Sequence, residues 1–504
     1  MNQLLRKSWI AAVAILALLV AACGSSSPAW VAVTIDEIGV TSVTPRGSSE
    51  MADGGFAYES AEFGFGAIPS SLAADPEEDG FELLERLSAG GRAWDLYDLE
   101  ADGFIVRLAV TEIGNTTYYV TLHASPTLVK EYAESVLLPA LEAFEVEEIA
   151  DTYVVPADGD LQELLDDLIA GTDLPSLGVM VFDGEKIIES AVTGVRRRGD
   201  PTSVETTDLF HIGSNTKAMT AALVATYIDE GVISWETTVE EIFGEVLADL
   251  DEGLAQVTFR QLLSHTAGFD DERALLPLLA IEDNLPVTEQ RSRIAEISLT
   301  QPGQHPVGQF MYSNLGYTIV GAMLEELTDT PWEELVRARV FDALGMHNCG
   351  FYAPGTAGEL DQPWGHLDER DGQPLDPGDP QADLPHVIAP AGTVHCSMSD
   401  WAVFLQSQLR GFQGSDTEII SPDAFVALQT PSEDSNYALG WATIKAPKGL
   451  VITHNGSNHR FTSEAWLVPG ENWGVLVVTN LGVEMASPTV SAAVEAMLAR
   501  HLSP

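Results

Sequence analysis

The chain has 504 residues, with 24 Lys and Arg against 76 Asp and Glu for a formal net charge of −52, and 45% of its residues are hydrophobic. That length allows two or three domains and that apolar fraction can build their cores, which excludes a wholly disordered chain. The acidic excess argues against a nucleic-acid partner, because phosphate binding needs clustered cations and the only basic run is Arg196-Arg197-Arg198, read as a solvated turn.

At the N-terminus Arg6 and Lys7 precede an apolar run from Trp9 to Ala22. The run is shorter than the ~20 residues that span a bilayer and has the charged-then-apolar layout of a secretory signal. It ends at Val20-Ala21-Ala22-Cys23, followed by Gly24-Ser25-Ser26-Ser27-Pro28. Small residues before a Cys and a polar tether after it resemble the lipobox of bacterial lipoproteins. The resemblance implies a signal peptide over 1–22, a lipid anchor on Cys23 and a tether over 23–33, hence an extracytoplasmic protein attached to a membrane. Cys349 and Cys396 remain; outside the cytoplasm they can form a disulfide, but nothing in the sequence fixes their distance. With no Cys-x-x-Cys or His-Glu-x-x-His and only scattered histidines, no metal site is expected.

Residues 34–150 read as a small α+β domain of unassigned role. Phe104–Glu112 and Thr116–Ala124 are strand-like around Gly114-Asn115, which predicts a hairpin. A helix is expected after Ser125-Pro126, with Val129, Tyr132, Val136 and Ala140 at helical spacing and Pro139 kinking or shortening it. A Pro/Gly/Asp cluster makes 151–159 a linker.

The larger domain, 160–504, opens with an amphipathic helix over Leu161–Ile169 and strands Ser176–Phe182 and Lys186–Val192 around Asp183-Gly184. Near its end Thr462–Val468 and Gly474–Thr479 read as strands, and Ser487-Pro488 as the cap of a final helix. Strands at both ends and a helix-rich middle imply that the two ends share one antiparallel sheet, an α+β fold. Between them, Gln362-Pro363-Trp364-Gly365-His366 opens a polar stretch to Pro390, long enough to rim a site, with Trp364 or His366 shaping it. His265 is read as a structural, hydrogen-bonded histidine, and Trp401, Phe404 and Leu405 as core.

Three short segments carry chemistry. Phe210 to Lys217 continues into a helix ending at Gly231, with Lys217 one turn after Ser214 on the same side. A serine becomes a nucleophile when a neighbouring base takes its proton, and burial near a helix N-terminus favours the neutral amine that can do so. Tyr312-Ser313-Asn314 offers a phenol for proton transfer and a carboxamide for a substrate carbonyl. His454-Asn455-Gly456-Ser457 lies on a strand, where Gly456 would let substrate approach and the Ser457 N–H could join that of Ser214 as an oxyanion hole.

Ser214-x-x-Lys217, Tyr312-x-Asn314 and His454-x-Gly456 resemble, in this order, the three signatures of the class C β-lactamase and D,D-peptidase superfamily of serine hydrolases. Gln261 to Gly268 and Pro390-Ala391-Gly392 with Asp400-Trp401 extend the resemblance to roughly residues 158–504. It implies an antiparallel sheet flanked by terminal helices beside a helical subdomain. Ser214 would be acylated, Lys217 and Tyr312 would share the proton, Asn314 would position the acyl amide, and His454, Gly456 and Ser457 would bind substrate. No cofactor is implied. Members that bind penicillins commonly carry Lys where this chain has His454, and His there resembles esterase-like and D-aminopeptidase-like relatives. The reading is an esterase or D-aminopeptidase-like hydrolase acting on a small molecule or short peptide. A β-lactamase or D,D-carboxypeptidase, and a non-catalytic lipoprotein that binds cell wall, stand as alternatives.

Overall fold

The computed structural model describes residues 160–502, apart from 248, 270–284, 369–371, 433–434 and 447–448, and a set of strands and helical residues between 30 and 146. The signal peptide, Cys23, the linker 151–159, Gly114-Asn115 and Ser125-Pro126 lie outside the described residues. The chain divides into two compact units, of which 155–443 with 448–504 is the larger.

In the smaller unit the expected hairpin is present, Phe104–Ile113 paired with Thr116–Ala124. It sits inside an antiparallel seven-stranded sheet that also takes in Ala61–Pro69, Arg92–Ala101 and Glu82–Ala89. Trp94, Leu96, Ala109, Val120 and Leu122 are buried on one face of this sheet, and the cross-strand pair Tyr97 and Leu108 is buried on the other. The strand Trp30–Ile35, paired with Val40–Pro45, begins inside the stretch read as tether, because Trp30, Val31, Val33 and Ile35 are good strand formers. Pro139 lies in the helix Leu138–Glu142, and the backbone just before it is π-helical at Ala133 and Leu137, the kind of irregularity that a proline within a helix imposes.

Residues 176–479 form a six-stranded sheet in the order Ile187–Gly194, Ser176–Phe182, Trp473–Thr479, Thr462–Val468, Gly449–Ser457, Ala442–Ala446. Its first and last long strands pair antiparallel, Gly178 opposite Val478 through Phe182 opposite Gly474, which joins the two ends of the unit. Both strands are buried along their whole length, as their unbroken apolar sequences require. The terminal helices Leu161–Ile169 and Val483–Leu502 and the helix Met398–Phe412 pack on this sheet. The helical middle gathers around Thr216–Asp229, an Ala-rich helix buried on nearly every side, with Asn314–Thr328 beside it.

Two local expectations are corrected. The final helix begins at Val483, with Pro488 inside it. Its first amides are capped by Asp368, whose Oδ1 accepts from Glu484 N–H (2.9 Å) and Met485 N–H (3.4 Å), a partner far upstream in the chain. The basic run is not solvated either. Arg196 grips Asp208 through two bonds of 2.6 and 2.9 Å, Arg197 reaches Asp200 at 3.0 Å, and the Arg198 guanidinium donates to Gly372 O at 3.1 Å.

Candidate active site

Strand Leu209–His211 leads through Ile212 into a tight 3-10 turn, Gly213–Asn215, and then into the helix Thr216–Asp229. That strand pairs with Val394–Ser397, whose other neighbour is Cys349–Phe351. Cys349 stands directly opposite Cys396, and their Sγ atoms, 2.06 Å apart, form a disulfide.

The turn that carries Ser214 lies against the end of strand Gly449–Ser457. A Cβ on Gly213 would fall 2.2 Å from Ser457 N; one on Gly456 would fall 2.1 Å from Ile212 O and 2.8 Å from Ser214 N. Both positions demand glycine, and Gly213 also has φ +51°. The role expected for Gly456 changes accordingly: the room left by its missing side chain is taken by the backbone of the serine turn, and this contact brings the regions of the Ser214 and Ser457 amides together.

Lys217 is fully buried, while Ser214, Tyr312, Asn314 and Ser457 keep partial exposure. Its Nζ lies 2.9 Å from Ser214 Oγ, 2.7 Å from Asn314 Oδ1 and 2.8 Å from Ala391 O. Protonated, the amine donates to all three; once it has given up a proton it has two N–H donors and one lone pair. Donation to the amide oxygen and the carbonyl leaves that lone pair facing the serine hydroxyl, the arrangement a general base needs.

Asn314 opens the helix Asn314–Thr328, capped by Ser313 Oγ accepting from Gly316 N–H at 3.3 Å. Tyr312 stands just before it, its ring centroid 4.8 Å from Lys217 Nζ. His265 holds it there, its carbonyl accepting from Met311 N–H at 2.7 Å and its Nδ1 from Ser313 N–H at 3.0 Å. The imidazole packs 4.2 Å from the Tyr312 ring, centroid to centroid. Burial, with the Lys217 charge added, keeps the His265 pKa well below its usual value. The sequence marks His265 as structural; the fold shows that what it supports is Tyr312.

His454 is buried. Its Nδ1 donates to Asn455 O (2.5 Å), so its Nε2 is the acceptor for the Tyr437 hydroxyl at 2.8 Å. Burial, reinforced by the Lys217 charge, lowers its pKa to about 3, which keeps it neutral. Both ring nitrogens are thus spent inside the protein. Tyr437, which sequence reasoning missed, closes the same aromatic cluster, its ring 6.2 Å from Tyr312 and 4.6 Å from His265. Its only sequence signal was a phenol before Gly440-Trp441, too common to single out.

Trp364 and His366 are both engaged within the fold. His366 is wholly buried, its Nδ1 donating to Asn480 O (2.7 Å) and its Nε2 accepting from Arg198 N–H (3.0 Å); burial lowers its pKa to about 4. Trp364 donates to Glu359 O at 3.0 Å and carries the Arg197 guanidinium on its face. Among the described residues no three of His, Cys, Asp or Glu gather as a metal site would require.

Residues 161–498 match the Beta-lactamase family. Penicillin-binding protein 4 of Amycolatopsis lactamdurans is 27% identical over 336 residues, covering 64% of this chain and 85% of its own length. Unguisins hydrolase ungD of Aspergillus violaceofuscus is 24% identical over 358 residues, 66% of this chain but 62% of its own length. Among solved structures, an octameric penicillin-binding protein homologue from Pyrococcus abyssi superposes with a TM-score of 0.56 at 22% identity, over 67% of this chain and 76% of that one. A D-stereospecific amidohydrolase from Streptomyces sp. does so with 0.52 at 21% identity, over 68% and 98%. With a family match over two thirds of its length, the chain belongs to the Beta-lactamase family of serine hydrolases and is related to penicillin-binding protein 4.

Proposed function

We propose that the chain hydrolyses an ester or amide through an acyl-enzyme on Ser214. The observation that carries this is the Lys217 amine at 2.9 Å from Ser214 Oγ, held by Asn314 and Ala391. Ser214 Oγ attacks the substrate carbonyl as its proton passes to Lys217, and the Ser214 and Ser457 N–H groups receive the oxyanion. Tyr312 passes a proton to the leaving alcohol or amine as the C–O or C–N bond breaks. Water then attacks the acyl-serine by the reverse proton path, freeing the acid.

On the substrate, His454 is the deciding residue. Neutral and engaged at both nitrogens, it supplies no cation for a substrate carboxylate at that point of the strand. This favours an esterase or a D-aminopeptidase-like peptidase over an enzyme for penicillins.

Intact-protein mass spectrometry after a fluorophosphonate and, separately, a penicillin tests the reading. A phosphonate adduct that Ser214→Ala abolishes, a loss of ester turnover of about a thousandfold or more in that variant, and no stable penicillin adduct are expected. An adduct that survives Ser214→Ala removes the nucleophile; a stable penicillin adduct moves the substrate to penicillins.

We further propose attachment to the outer side of a membrane through Cys23, on the strength of Val20-Ala21-Ala22-Cys23 and of a disulfide suited to an oxidising compartment. Cys23→Ser is expected to move the protein from the membrane fraction to the soluble one, and unchanged attachment would sink the proposal.

A further inference from the structure

We propose that His211 and Asp383 act as a positioning pair that sets the Ser214 turn and, with it, the oxyanion amides, an inference that rests on Ser214 being the nucleophile. His211 stands three residues before Ser214 and is completely buried. Its Nδ1 accepts from Gly213 N–H at 3.1 Å, the amide immediately before the serine. A nitrogen that accepts this bond carries no proton, so the imidazole proton sits on Nε2. Nε2 in turn lies 3.1 Å from Asp383 Oδ1, on a carboxylate side chain only 8% exposed. The contact falls outside hydrogen-bond alignment, but at that distance the carboxylate's charge favours a proton on Nε2, and so the tautomer that leaves Nδ1 open to Gly213. The opposite tautomer, or the imidazolium, would turn an N–H against the Gly213 N–H and push the turn away.

The same oxygen reaches the other half of the proposed oxyanion site. Asp383 Oδ1 also accepts from Leu384 N–H at 2.7 Å and from Asn458 Nδ2 at 3.1 Å. Asn458 follows Ser457, and its own Oδ1 accepts from Arg460 N–H (3.1 Å) and Phe461 N–H (2.9 Å), shaping the turn beyond Ser457. The contact of Gly213 with Ser457 N leaves no slack between the two backbones, so a small shift of either changes the distance between the two amides. The segment that supplies Asp383 also supplies Ala391 O to Lys217, so it aligns base and amides together.

Two isosteric substitutions separate the halves of the pair. His211→Asn keeps an acceptor near the Nδ1 position for Gly213 but falls short of Asp383; His211→Gln keeps a donor near the Nε2 position and removes that acceptor. With the full chain in detergent and an activated ester as probe, His211→Gln is expected to lower kcat about a hundredfold with KM within about twofold of the parent, and His211→Asn to retain at least tenfold more kcat than His211→Gln. Equal losses in the two, or an unchanged kcat in His211→Gln, overturn the proposal. Should either fail to fold by thermal melting, Asp383→Asn decides. Its amide can offer an N–H to Nε2 and so invert the tautomer, and about a tenfold loss in kcat at unchanged KM is expected, whereas parental kcat overturns it. Ser214→Ala run alongside keeps the two readings apart. A surviving fluorophosphonate adduct there removes the nucleophile, while a lost adduct with full activity in His211→Gln and Asp383→Asn removes only the positioning pair.

Discussion

A methyl group is the smallest side chain that can be added to position 456, and there it would stand 2.1 Å from Ile212 O, well inside contact distance. Gly456→Ala is accordingly expected to destabilise the protein by about 2–3 kcal/mol, the cost of overpacking against backbone that cannot give, and to lower kcat by displacing the Ser214 turn. Denaturant unfolding and ester turnover check both; wild-type values for either would show that the contact yields. Ser214 and Lys217 are legible in the sequence because they stand three residues apart at the start of a helix, where helical geometry puts them on one side, and Tyr312 and Asn314 because Tyr312-x-Asn314 follows them in the order of the family's signatures. Tyr437, Asp383 and the support His265 gives to Tyr312 are not, because their partners are set by tertiary approach. His265 moreover adopts φ +59°, a conformation that a residue without glycine's freedom takes only when its surroundings impose it.

Between the helices, the instructive cluster is Arg291, fully buried, with Glu325 at 3.3 Å and Glu333 at 2.7 Å. Burial raises the Glu325 pKa to about 7 even though Arg291 pulls it down. A carboxyl whose folded pKa lies above its unfolded value holds its proton longer in the folded state, so its contribution is greatest in acid and is lost as pH rises from about 4.5 to 7. His366, His395 and His454, with pKa values lowered to about 4, 4 and 3, bind protons more readily unfolded and act in the opposite sense, so stability gained from them grows as pH rises towards the ordinary histidine range. Glu325→Gln isolates the first effect. Relative to the variant, the parent should lose about 2–3 kcal/mol of unfolding free energy between pH 4.5 and 7, and parallel pH curves for the two would refute it. At this scale the sequence is informative wherever the periodic pattern is local. Leu161–Ile169, Ser176–Phe182 and Thr462–Val468 run between the residues that their apolar spacing indicates. The start of the last helix escapes it because the cap, Asp368, is remote.

Over the whole molecule the formal charge of −52 is the dominant fact, and only six of the 24 basic residues are lysines. Like charges so densely placed repel one another more in the compact state than in the expanded one. Salt shortens the Debye length from roughly 10 Å at 0.1 M to 3 Å at 1 M. The melting temperature is therefore expected to rise by about 5 °C or more between 0.1 and 2 M NaCl, and a flat or falling curve by calorimetry would show that the acid is well spaced. The antiparallel sheet joining the two ends of the larger unit was foreseeable because a strand pair at each end, with a helix-rich middle between them, leaves the two pairs to complete one sheet. The smaller unit's seven-stranded sheet was read only in part: Gly90-Gly91 and Asp102-Gly103, which fall between the strands Glu82–Ala89, Arg92–Ala101 and Phe104–Ile113, are tight-turn signals that the expectation of one hairpin passed over.

The bond between Cys349 and Cys396 turns 47 residues of sequence separation into a covalent ring, and that ring contains Asp383 and Ala391. A single cut within it, by a protease or by chemistry, would part the chain in name only. The piece that bears Ser214, Lys217 and Tyr312 would stay bonded to the piece that bears His454 and Ser457, and the two would separate in mass only once a reductant opened the bridge.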